Sequence, residues 1–347
     1  MGERRKVMKK ASLLSILSFA IIVLLLMTAS DGLGTAPSPR AYHQMVYDPD
    51  SELVILYGGQ TGEWNPPENF SHETWLFDPQ ENVWTEVTPE DSPGGSVGGS
   101  MTYDSKAKRV ILSVISDDLT ELQTWAYETE SNTWTRLADG PLNMVGQRIV
   151  YDIESDRTIM FGGIEMTKYK FFDETWAYDY NTDTWTNMRP SNHPHGRNYH
   201  GMAYDPVADR IVVWGGDIRG PDKKELIWTY DYNTNTWENF KYENGPANRD
   251  YLDLVYNVDA ECFITYGGYP YGNDETWVYT LDTNTWQLMQ PANNPGLLSR
   301  YAMVYAQNVD KNILFGGQDG TERYNFTAET WSYDLNTDAW TNLFPTP

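Results

Sequence analysis

The spacing of the tryptophans constrains this chain more than any other feature of its sequence. Twelve of the 14 tryptophans fall into six pairs, and the two members of every pair are 9 residues apart. Successive pairs follow one another after 50, 51, 52, 49 and 54 residues. The pairs are Trp75 and Trp84, Trp125 and Trp134, Trp176 and Trp185, Trp228 and Trp237, Trp277 and Trp286, and Trp331 and Trp340. A period near 50 residues built from short alternating segments is typical of a β-propeller, so the pairs predict six blades.

A tyrosine and a glycine doublet repeat with the same period. In five units a tyrosine is followed after 11 residues by two glycines, which let the backbone turn sharply and approach a neighbouring strand. These residues are Tyr47 with Gly58 and Gly59, Tyr151 with Gly162 and Gly163, Tyr204 with Gly215 and Gly216, Tyr256 with Gly267 and Gly268, and Tyr305 with Gly316 and Gly317. The second unit keeps Tyr103 but has Val114 and Ile115 in place of the glycines, so we expect a degenerate blade there.

Each unit contains four short segments with the composition of β-strands. In the fourth unit these are NYHGMAYD, RIVVWGG, LIWTYDY and TWENF, in which β-branched and aromatic residues alternate with others and polar turns intervene. We name the four strands A to D in chain order. The sequence thus predicts an all-β six-bladed propeller with four antiparallel strands per blade. The predicted blades are about 40–89, 96–138, 144–189, 197–241, 249–290 and 298–343.

The motifs of these units resemble those of the kelch-repeat family. Clear examples are YGG…ETWLFDPQENVWTEV, FGG…ETWAYDYNTDTWTNM and FGG…ETWSYDLNTDAWTNL, and the resemblance extends over residues 40–343. It implies the propeller fold of the kelch and galactose oxidase central domains, with strand A innermost in each blade. Because strands A to D are contiguous in all six units, we expect the ring to close without a strand borrowed from the other terminus.

The amino terminus has the layout of an export signal. The cationic segment MGERRKVMKK precedes an apolar run over residues 13–27, and small residues follow. Residues 1–30 therefore predict a hydrophobic helix that is either a signal peptide, cleaved after Ala29 or Ser30, or a retained membrane anchor. Residues 31–39 form a linker. In both cases we expect the propeller outside the cytoplasm, secreted or anchored at the cell surface, with no other membrane contact.

Composition narrows the classes of partner. Lys and Arg number 25 against 49 Asp and Glu, a net charge of -24, and without the first 30 residues the balance is 20 against 48, or -28. A surface this acidic repels phosphate backbones, which excludes nucleic-acid binding as a main role. The 14 Trp and 24 Tyr indicate a packed core, while the single cysteine, Cys262, excludes an intrachain disulfide. We expect a monomeric propeller.

The spacing within the units shows which end of the propeller varies. Successive strands run in opposite directions, so the A–B and C–D turns lie at one end, the turn face, and the B–C and D–A loops at the other, the loop face. The spans across the two turns are constant at 11 and 9 residues, whereas those across the B–C loop are 17, 11, 14, 13, 10 and 15. Variable loops on a rigid scaffold usually carry binding, so we expect the functional surface on the loop face.

Aromatic residues on the B–C loops are the first candidates for ligand contact. Trp64, in GEWNPPENF, lies outside the paired scheme, whereas Trp214 takes the aromatic position before a glycine doublet. The candidate tyrosines are Tyr169, Tyr269, Tyr271 and Tyr324, and the same loops carry Phe70, Phe171, Phe172 and Phe326. Exposed aromatic side chains stack on sugar rings or anchor protein partners. The alternative is that they pack the long loops onto the blades.

A second group of candidates lies at the start of strand A. The residues supplied by the motifs RAYH, RNYH and RDYL are Arg40, His43, Arg197, His200 and Arg249. In the last unit Arg300 is displaced by two residues. Because strand A is innermost in kelch propellers, the resemblance implies that these residues surround the mouth of the central channel, where an arginine of kelch adaptors often contacts an acidic peptide. The alternative is an arginine buried against neighbouring carboxylates.

Other chemistries find little support in the sequence. Copper radical oxidases that share this propeller need two tyrosines, two histidines and a cysteine, but Cys262 lies within a strand and suits a buried position. His193, His195 and His200 form a local cluster that contains no cysteine or carboxylate. We therefore assign no catalytic residue, no metal and no cofactor.

Two further features belong to the scaffold or to modification. The Glu of ETW recurs in four units. An active site does not need the same carboxylate in four blades, so we interpret this glutamate as a structural hydrogen-bond partner. These residues are Glu73, Glu174, Glu275 and Glu329. Turns such as DYNTDT resemble a calcium loop but lack its glycine and closing glutamate. Asn69 in NFS and Asn325 in NFT fit N-glycosylation acceptors on B–C loops.

The sequence therefore predicts an exported or surface-anchored recognition module that binds a protein or a glycan through its loop face. One alternative is a carbohydrate-active hydrolase or isomerase that uses the strand-A arginines and His200 at the channel mouth. Another is an architectural role in a cell envelope. A deep pocket with a converging carboxylate favours the enzyme, whereas a flat aromatic rim favours binding.

Overall fold

The computed structural model describes residues 36–63, 69–95, 97–219, 226–270, 273–322 and 324–344. They form six four-stranded antiparallel sheets, and each sheet consists of the A to D strands of one repeat unit. This confirms the all-β six-bladed propeller. The predicted N-terminal helix, residues 1–30, and the first part of the linker lie outside the described residues. Within the part of the chain that the structure describes, no helix is long and apolar enough to cross a membrane.

The first three blades contain strands β1 to β14. Blade 1 consists of β1 (Gln44–Asp48), β2 (Leu53–Tyr57), β3 (Thr74–Asp78) and β4 (Val83–Val87). Blade 2 consists of β5 (Ser100–Asp104), β6 (Arg109–Ile115), β7 (Leu122–Glu128) and β8 (Thr133–Arg136). Blade 3 consists of β9 (Arg148–Asp152), β10 (Arg157–Phe161), β13 (Thr175–Asp179) and β14 (Thr184–Asn187), with β11 (Ile164–Glu165) and β12 (Lys170–Phe171) paired in its B–C loop.

The last three blades contain strands β15 to β30. Blade 4 consists of β16 (Gly201–Asp205), β17 (Arg210–Trp214), β19 (Leu226–Asp231) and β20 (Thr236–Lys241), extended by β15 (Arg197–Asn198) and β18 (Asp217–Ile218). Blade 5 consists of β21 (Leu254–Asn257), β22 (Cys262–Tyr266), β23 (Thr276–Thr280) and β24 (Thr285–Leu288). Blade 6 consists of β26 (Ala302–Ala306), β27 (Lys311–Phe315), β29 (Thr330–Asp334) and β30 (Ala339–Asn342), extended by β25 (Leu298–Ser299) and β28 (Gln318–Asp319). A 3₁₀ turn, Gln307–Val309, forms the A–B turn of blade 6.

Strand A surrounds a central channel in every blade. Each strand A packs against strand A of both neighbouring blades, and the contact between β26 and β1 completes the circle. All four strands of blade 1 and of blade 6 come from consecutive segments. The ring therefore closes as expected, by side-by-side packing of the first and last blades.

The second tryptophan of a pair joins neighbouring blades. In five blades its indole N–H donates, at 2.9–3.0 Å, to the threonine before the first tryptophan of the preceding blade. The bonds run from Trp84 to Thr330, from Trp134 to Thr74, from Trp185 to Thr124, from Trp237 to Thr175 and from Trp340 to Thr276. The bond from Trp84 joins the first blade to the last.

These indoles differ in their burial. Trp84, Trp134, Trp237 and Trp340 are at most 4% exposed, so each bond satisfies a donor that has almost no access to water. Trp185 is only partly buried, on the outer strand of blade 3, and its bond to Thr124 is retained. The tryptophan spacing therefore marks inter-blade contacts, as the repeat predicts, although Trp185 is not part of the fully buried core.

Blade 5 departs from this pattern for a reason visible in the sequence. The preceding blade carries Ile227 where the other units have threonine. Trp286 Nε1 consequently has no hydrogen-bond partner among the described residues. Its ring packs against Trp214, with centroids 4.9 Å apart, and Trp214 is almost completely buried. The second tryptophans of other blades pack in the same way on the aromatic residue of the preceding blade. Trp214 is therefore part of the inter-blade core, as its position before a glycine doublet predicts.

Blade 2 shows how the ring accommodates the missing glycine doublet. In blade 1 a Cβ added to Gly59 would lie 2.9 Å from His43 Cβ, in the segment that leads into strand A. In blade 2 the glycines lie on the segment that leads into strand A. A Cβ on Gly99 would lie 2.6 Å from the carbonyl oxygen of Ser113, on strand B. The close approach of the two backbones is retained, and only the side that needs glycine has changed.

Candidate functional site at the loop-face mouth of the channel

A closed ring of backbone hydrogen bonds surrounds the channel at the loop face. One residue per blade, just before strand A, donates its N–H to the carbonyl oxygen of the equivalent residue in the preceding blade, at 2.8–3.4 Å. The six residues, which we name the mouth ring, are Tyr42, Gly98, Gly146, Tyr199, Tyr251 and Arg300. All six have a positive φ, between 49° and 70°. This conformation suits glycine but costs a residue with a Cβ about 1–2 kcal/mol, so four blades hold a large side chain here against a local cost.

The four large side chains of the mouth ring pack against one another. The rings of Tyr199 and Tyr251 stack with centroids 4.3 Å apart. The Arg300 guanidinium lies 4.1 Å from the Tyr251 ring centroid, and its Nε donates to the Tyr42 hydroxyl at 2.5 Å. A cation over an aromatic face is attracted by the negative charge of the ring. These contacts fill one side of the channel mouth. On the other side the Tyr199 side chain lies over the two glycines, since a Cβ added to Gly98 or Gly146 would lie 3.2 or 3.0 Å from it.

A cavity of about 830 Å³, which we name the loop-face bowl, opens on the loop side of the mouth ring. Tyr42, Tyr199, Tyr251 and Arg300 form part of its wall. Its polar lining residues are Gln60, Asn198, Asp217, Gln318, Thr321 and Glu322. Ile164 and Met166 of blade 3 form an apolar part of the wall, and a smaller cavity of about 190 Å³ shares these two residues. The bowl thus has a mainly polar and aromatic wall with one apolar patch.

An unusual carboxyl group lies beside the bowl. Asp250 precedes the mouth-ring residue Tyr251, and its backbone pairs with Tyr269. Burial and the nearby charge of Asp217 raise the pKa of Asp250 to about 7, although the positive charge of Arg300 acts in the opposite direction. Two carboxyl groups and one guanidinium therefore determine the charge at this side of the mouth, and this charge changes near neutral pH.

Comparison with known proteins identifies the family. The family model described as the KLHDC2/KLHL20/DRC7 Kelch-repeats domain matches residues 24–204 and 146–346. The chain belongs to the kelch-repeat family. Kelch propellers generally bind protein partners. A curated relative, Mei4-dependent protein 6 of Schizosaccharomyces pombe, is 23% identical over 205 residues, which are 52% of this chain and 28% of that protein. The matched part thus spans less than a third of the length of this relative.

The strand-A arginines of this kelch propeller do not form a cationic surface at the mouth. Arg40, Arg197 and Arg249 are at most 3% exposed. Each guanidinium donates to the carbonyl oxygen of the first glycine of its own doublet, at 3.0–3.1 Å. Arg40 and Arg249 also pair with the ETW carboxylates Glu73 and Glu275, at 2.5 and 2.8 Å. The structure therefore agrees with the alternative interpretation, in which these arginines are buried inside the blades, two of them against carboxylates.

The two strand-A histidines are buried as well. His43 and His200 are 4% and 0% exposed and lie edge-to-face on Phe315 and Phe161 of the preceding blade. Among the described residues their ring nitrogens have no hydrogen-bond partner. Burial, with a contribution from the charge of Arg40, lowers the pKa of His43 to about 3. Both histidines are neutral wedges between blades, since a charged imidazole cannot be accommodated there without a partner.

Two candidate tyrosines line the loop-face bowl, and a third contacts a residue of its wall. Tyr169 and Tyr324 line it, and Tyr169 is 59% exposed. The Arg219 guanidinium lies 4.6 Å from the Tyr169 ring centroid. Tyr269 contacts the mouth-ring residue Tyr251 edge-to-face at 6.3 Å. The bowl therefore brings together aromatic residues from three different B–C loops.

The remaining aromatic candidates have other positions. Trp64 and Tyr271 lie outside the described residues. Phe172 is buried, and Phe171 packs edge-to-face on Tyr169 at 5.7 Å. Phe172 thus packs its loop onto the blade, as the alternative interpretation has it. Phe171 supports the exposed ring of Tyr169.

The sequence reasoning missed the four large side chains of the mouth ring as a group. Tyr42, Tyr199 and Tyr251 stand inside the motifs RAYH, RNYH and RDYL, between the residues that were selected. The displaced Arg300 belongs to the same ring position. A usable signal exists, because glycine occupies the equivalent position in two units and indicates a left-handed backbone there. The left-handed residue breaks the alternation of the strand, so the arginine turns into the blade and the tyrosine faces the mouth.

The repeated residues make contacts within the scaffold. Glu73, Glu275 and Glu329 each accept the indole N–H of the first tryptophan of their blade at 2.9 Å. Gln123 does the same in the degenerate blade, at 2.9 Å. In these blades the repeated residue therefore serves as an acceptor for a largely buried tryptophan. Blade 3 is the exception, because Trp176 Nε1 has no partner among the described residues and Glu174 accepts the backbone N–H of Asp173 at 3.2 Å.

The remaining sites can be placed as follows. Cys262 is buried, and burial raises the pKa of its thiol to about 11. His193 lies 3.8 Å from Asp173 and is separated from the buried His200, and no group of three metal-ligating side chains occurs among the described residues. Asn69 and Asn325 hydrogen-bond within their own B–C loops, to Glu63 and Asp319.

Proposed function

We propose that this kelch propeller is a recognition module that binds a protein partner in the loop-face bowl. The mouth ring carries the argument. Tyr42, Tyr199, Tyr251 and Arg300 adopt a strained backbone conformation where two other blades use glycine, so the fold itself does not need their side chains. Strained residues of this kind are concentrated at functional sites. Tyrosine and arginine are also the residue types that dominate binding energy at protein interfaces.

The packing of the bowl favours a protein over a glycan. Sugar rings bind to free aromatic faces, but the face of Tyr251 is covered by Tyr199 on one side and by Arg300. Arg219 covers Tyr169 in the same manner. What the bowl offers is a rigid aromatic centre surrounded by amide and carboxylate groups, which is the anatomy of a protein interface.

Affinity capture with matched variants of the full chain tests this proposal. Tyr251→Asn removes a central ring and keeps a residue type that tolerates positive φ, whereas Tyr232→Asn makes the same change at a turn on the opposite face. We expect Tyr232→Asn to capture the same proteins as the native chain and Tyr251→Asn to lose them at least ~10-fold, with similar unfolding midpoints. Equal capture by both variants, or binding confined to a glycan array, contradicts it.

We also propose that the amino-terminal segment places the propeller outside the cytoplasm. The support is the order of a cationic segment, an apolar run and small residues over residues 1–30. Leu24→Arg interrupts the apolar run, and we expect it to leave the protein inside the cell, whereas the native chain becomes accessible to added protease. The mass of the native product distinguishes cleavage after Ala29 or Ser30 from a retained anchor. Protease accessibility of both proteins alike argues against this segment as the signal.

A second candidate function, acid–base catalysis on a carbohydrate, has one supporting observation. The pKa of Asp250 is raised to about 7 by burial and by Asp217, and such carboxyl groups serve as general acids. The arginines and the histidine first considered for an enzyme are buried and cannot assist it. Asp250→Asn should abolish turnover of a glycoside panel if catalysis occurs. If the variant still turns over a glycoside, or if the native chain turns over none, this candidate function is rejected.

A further inference from the structure

A second cavity occupies the opposite end of the channel. It measures about 380 Å³ and is lined by strand A and by the A–B turns, and we name it the turn-face chamber. Cavities of about 300–1,000 Å³ accommodate small-molecule ligands. Its apolar lining includes one large residue per blade at the same position of strand A, namely Met45, Met101, Ile149, Met202, Leu254 and Met303. Smaller apolar residues of strand A line it as well, namely Val46, Val150, Ala203, Val255, Ala302 and Val304. Methionine is flexible and polarisable, so this wall adapts to an apolar group.

A collar of tyrosines surrounds the chamber two residues further along each strand A. The collar consists of Tyr47, Tyr103, Tyr151, Tyr204, Tyr256 and Tyr305. Four of them donate their hydroxyls to turn carboxylates at 2.6–2.8 Å. The carboxylates are Asp50, Asp156, Asp209, Asp259 and Asp310. The tyrosines line the chamber, and the carboxylates lie outside its lining, one hydrogen bond from the tyrosine hydroxyls.

The collar carries a net negative charge. Asp50 and Asp156 also face an exposed lysine, at 3.3 and 4.0 Å. Among the described residues the other three carboxylates form no ion pair and bind neutral donors, as in the 2.9 Å bond that Asp310 accepts from Asn336. Deeper in the channel, Arg148 and Asp253 neutralise each other at 2.7 Å. The excess charge therefore lies at the opening.

Two further features suit a ligand at this position. Gln44 lines the chamber and is 5% exposed, and its Oε1 has no hydrogen-bond partner within the described residues. A buried amide oxygen of this kind gains from a donor that a ligand supplies. At the opening, Ile153 and Val258 line the chamber while 45% and 37% exposed, so the apolar surface reaches the solvent. The chamber is accessible from the turn face.

We propose that the turn-face chamber binds a small organic cation with an apolar group attached. The apolar group lies against the methionine-rich wall, and the cationic group lies among the tyrosine rings and carboxylates of the collar. Aromatic rings and carboxylates together attract an ammonium group through its charge, whereas an anion is repelled. The site is on the other face from the loop-face bowl, so its test is independent of protein binding there.

Three probes of nearly equal size test the charge preference on the full chain. Benzylammonium, benzyl alcohol and benzoate carry charges of about +1, 0 and -1 at neutral pH, and their affinities are measured by isothermal titration calorimetry. We expect benzylammonium to bind at least ~10-fold more tightly than benzyl alcohol and benzoate not to bind. Raising the salt concentration should reduce the advantage of the cation. Equal affinity for the cation and the alcohol, or no binding of the cation, overturns the proposal.

Matched variants locate the site. Val258→Arg places a cation in the opening, and Val207→Arg does so at a residue of the same face that is 65% exposed and outside the chamber lining. We expect Val258→Arg to lower the affinity for benzylammonium at least ~10-fold and Val207→Arg to leave that affinity unchanged. Asp259→Asn should lower the affinity for benzylammonium more than the affinity for benzyl alcohol. Asp282→Asn, at an exposed position, is its control. Equal losses for a variant and its control place the probe elsewhere and overturn the assignment.

Discussion

The two ends of the channel use tyrosine in opposite ways. At the turn face all six blades carry a tyrosine, and the hydroxyl of Tyr204, for example, donates to Asp209 at 2.8 Å within the same blade. At the loop face three blades place a tyrosine in the mouth ring, two place a glycine, and one places Arg300. Four of the six turn-face tyrosines make the same kind of bond to a turn carboxylate, so the repeated residue serves a repeated contact. At the loop face the residue differs between blades, and the large side chains pack on one another across the mouth.

The largest expected effect is on the free energy of unfolding, and it compares a glycine of a doublet with a glycine of the mouth ring. A Cβ added to Gly162, at φ +72°, would lie 2.5 Å from the carbonyl oxygen of Arg197, whereas one added to Gly98 would lie 3.2 Å from its nearest neighbours. We expect Gly162→Ala to lower the free energy of unfolding by about 3 kcal/mol and Gly98→Ala by about 1 kcal/mol. Urea titration measures both. Equal losses would show that the mouth ring is as constrained as the glycine doublets.

The next effect concerns acid stability at the loop end. Burial holds the pKa of His43 at about 3, below its ordinary value near 6.5 in the unfolded chain, so the unfolded state takes up a proton first as the pH falls. Stability from this group is present above about pH 6.5 and is lost as the pH falls towards 3. The free energy of unfolding of His43→Gln should fall by about 3 kcal/mol less than that of the native chain between pH 7 and pH 4. His193→Gln changes an exposed histidine, so its stability should depend on pH as that of the native chain does. If all three proteins show the same dependence of stability on pH, His43 is not a neutral buried residue.

A smaller effect distinguishes the two kinds of tyrosine directly. Tyr305 donates towards both Asp259 and Asp310, at 2.6 and 2.8 Å, so Tyr305→Phe leaves two carboxylates facing a ring edge. Tyr199→Phe keeps the ring that stacks on Tyr251. We expect a loss of about 1–1.5 kcal/mol for the first change and under about 0.5 kcal/mol for the second. If thermal unfolding ranks them in reverse, the hydroxyls of the turn end do not carry the stabilisation.

The smallest effect has the opposite pH dependence. Because the pKa of Asp250 is raised to about 7 by burial and by Asp217, its ionisation destabilises the fold as the pH rises from about 4 to 7. Relative to the native chain, Asp250→Asn should gain about 1 kcal/mol more at pH 8 than at pH 5, since partial exposure screens the charge. Asp282→Asn, at an exposed turn, should show no such difference. A gain that is independent of pH would show that Asp250 is already ionised at pH 5.

Much of the scaffold follows from the sequence because each blade repeats the same local solution. The tryptophan pairs and glycine doublets predict six blades, and the contiguous strands predict closure without exchange. Even the exception at Trp286 is readable, since Ile227 replaces a threonine. Repetition makes these inferences strong, because a contact required in one blade is required in its neighbours.

The candidate site follows less well because it depends on conformation at single residues. RAYH places an arginine, a tyrosine and a histidine within four residues, and the sequence alone does not say which one faces the channel. The positive φ of Tyr42 decides it, since this residue turns towards the mouth while Arg40 and His43 turn into the blades. The bowl also combines groups from blades that are distant in the chain, such as Tyr42 and Arg300.

The sequence by itself thus determined the number of blades, the order of their strands, the end at which the loops vary and the family. Only the tertiary structure decided that Arg40, Arg197 and Arg249 belong to the core and that Arg300 and three tyrosines form the mouth. The physical reason is that strand formation depends on local alternation and spacing, which repeat along the chain. Exposure at the centre of a closed ring depends on how six blades meet, and one left-handed residue per blade reverses which side chain reaches the opening.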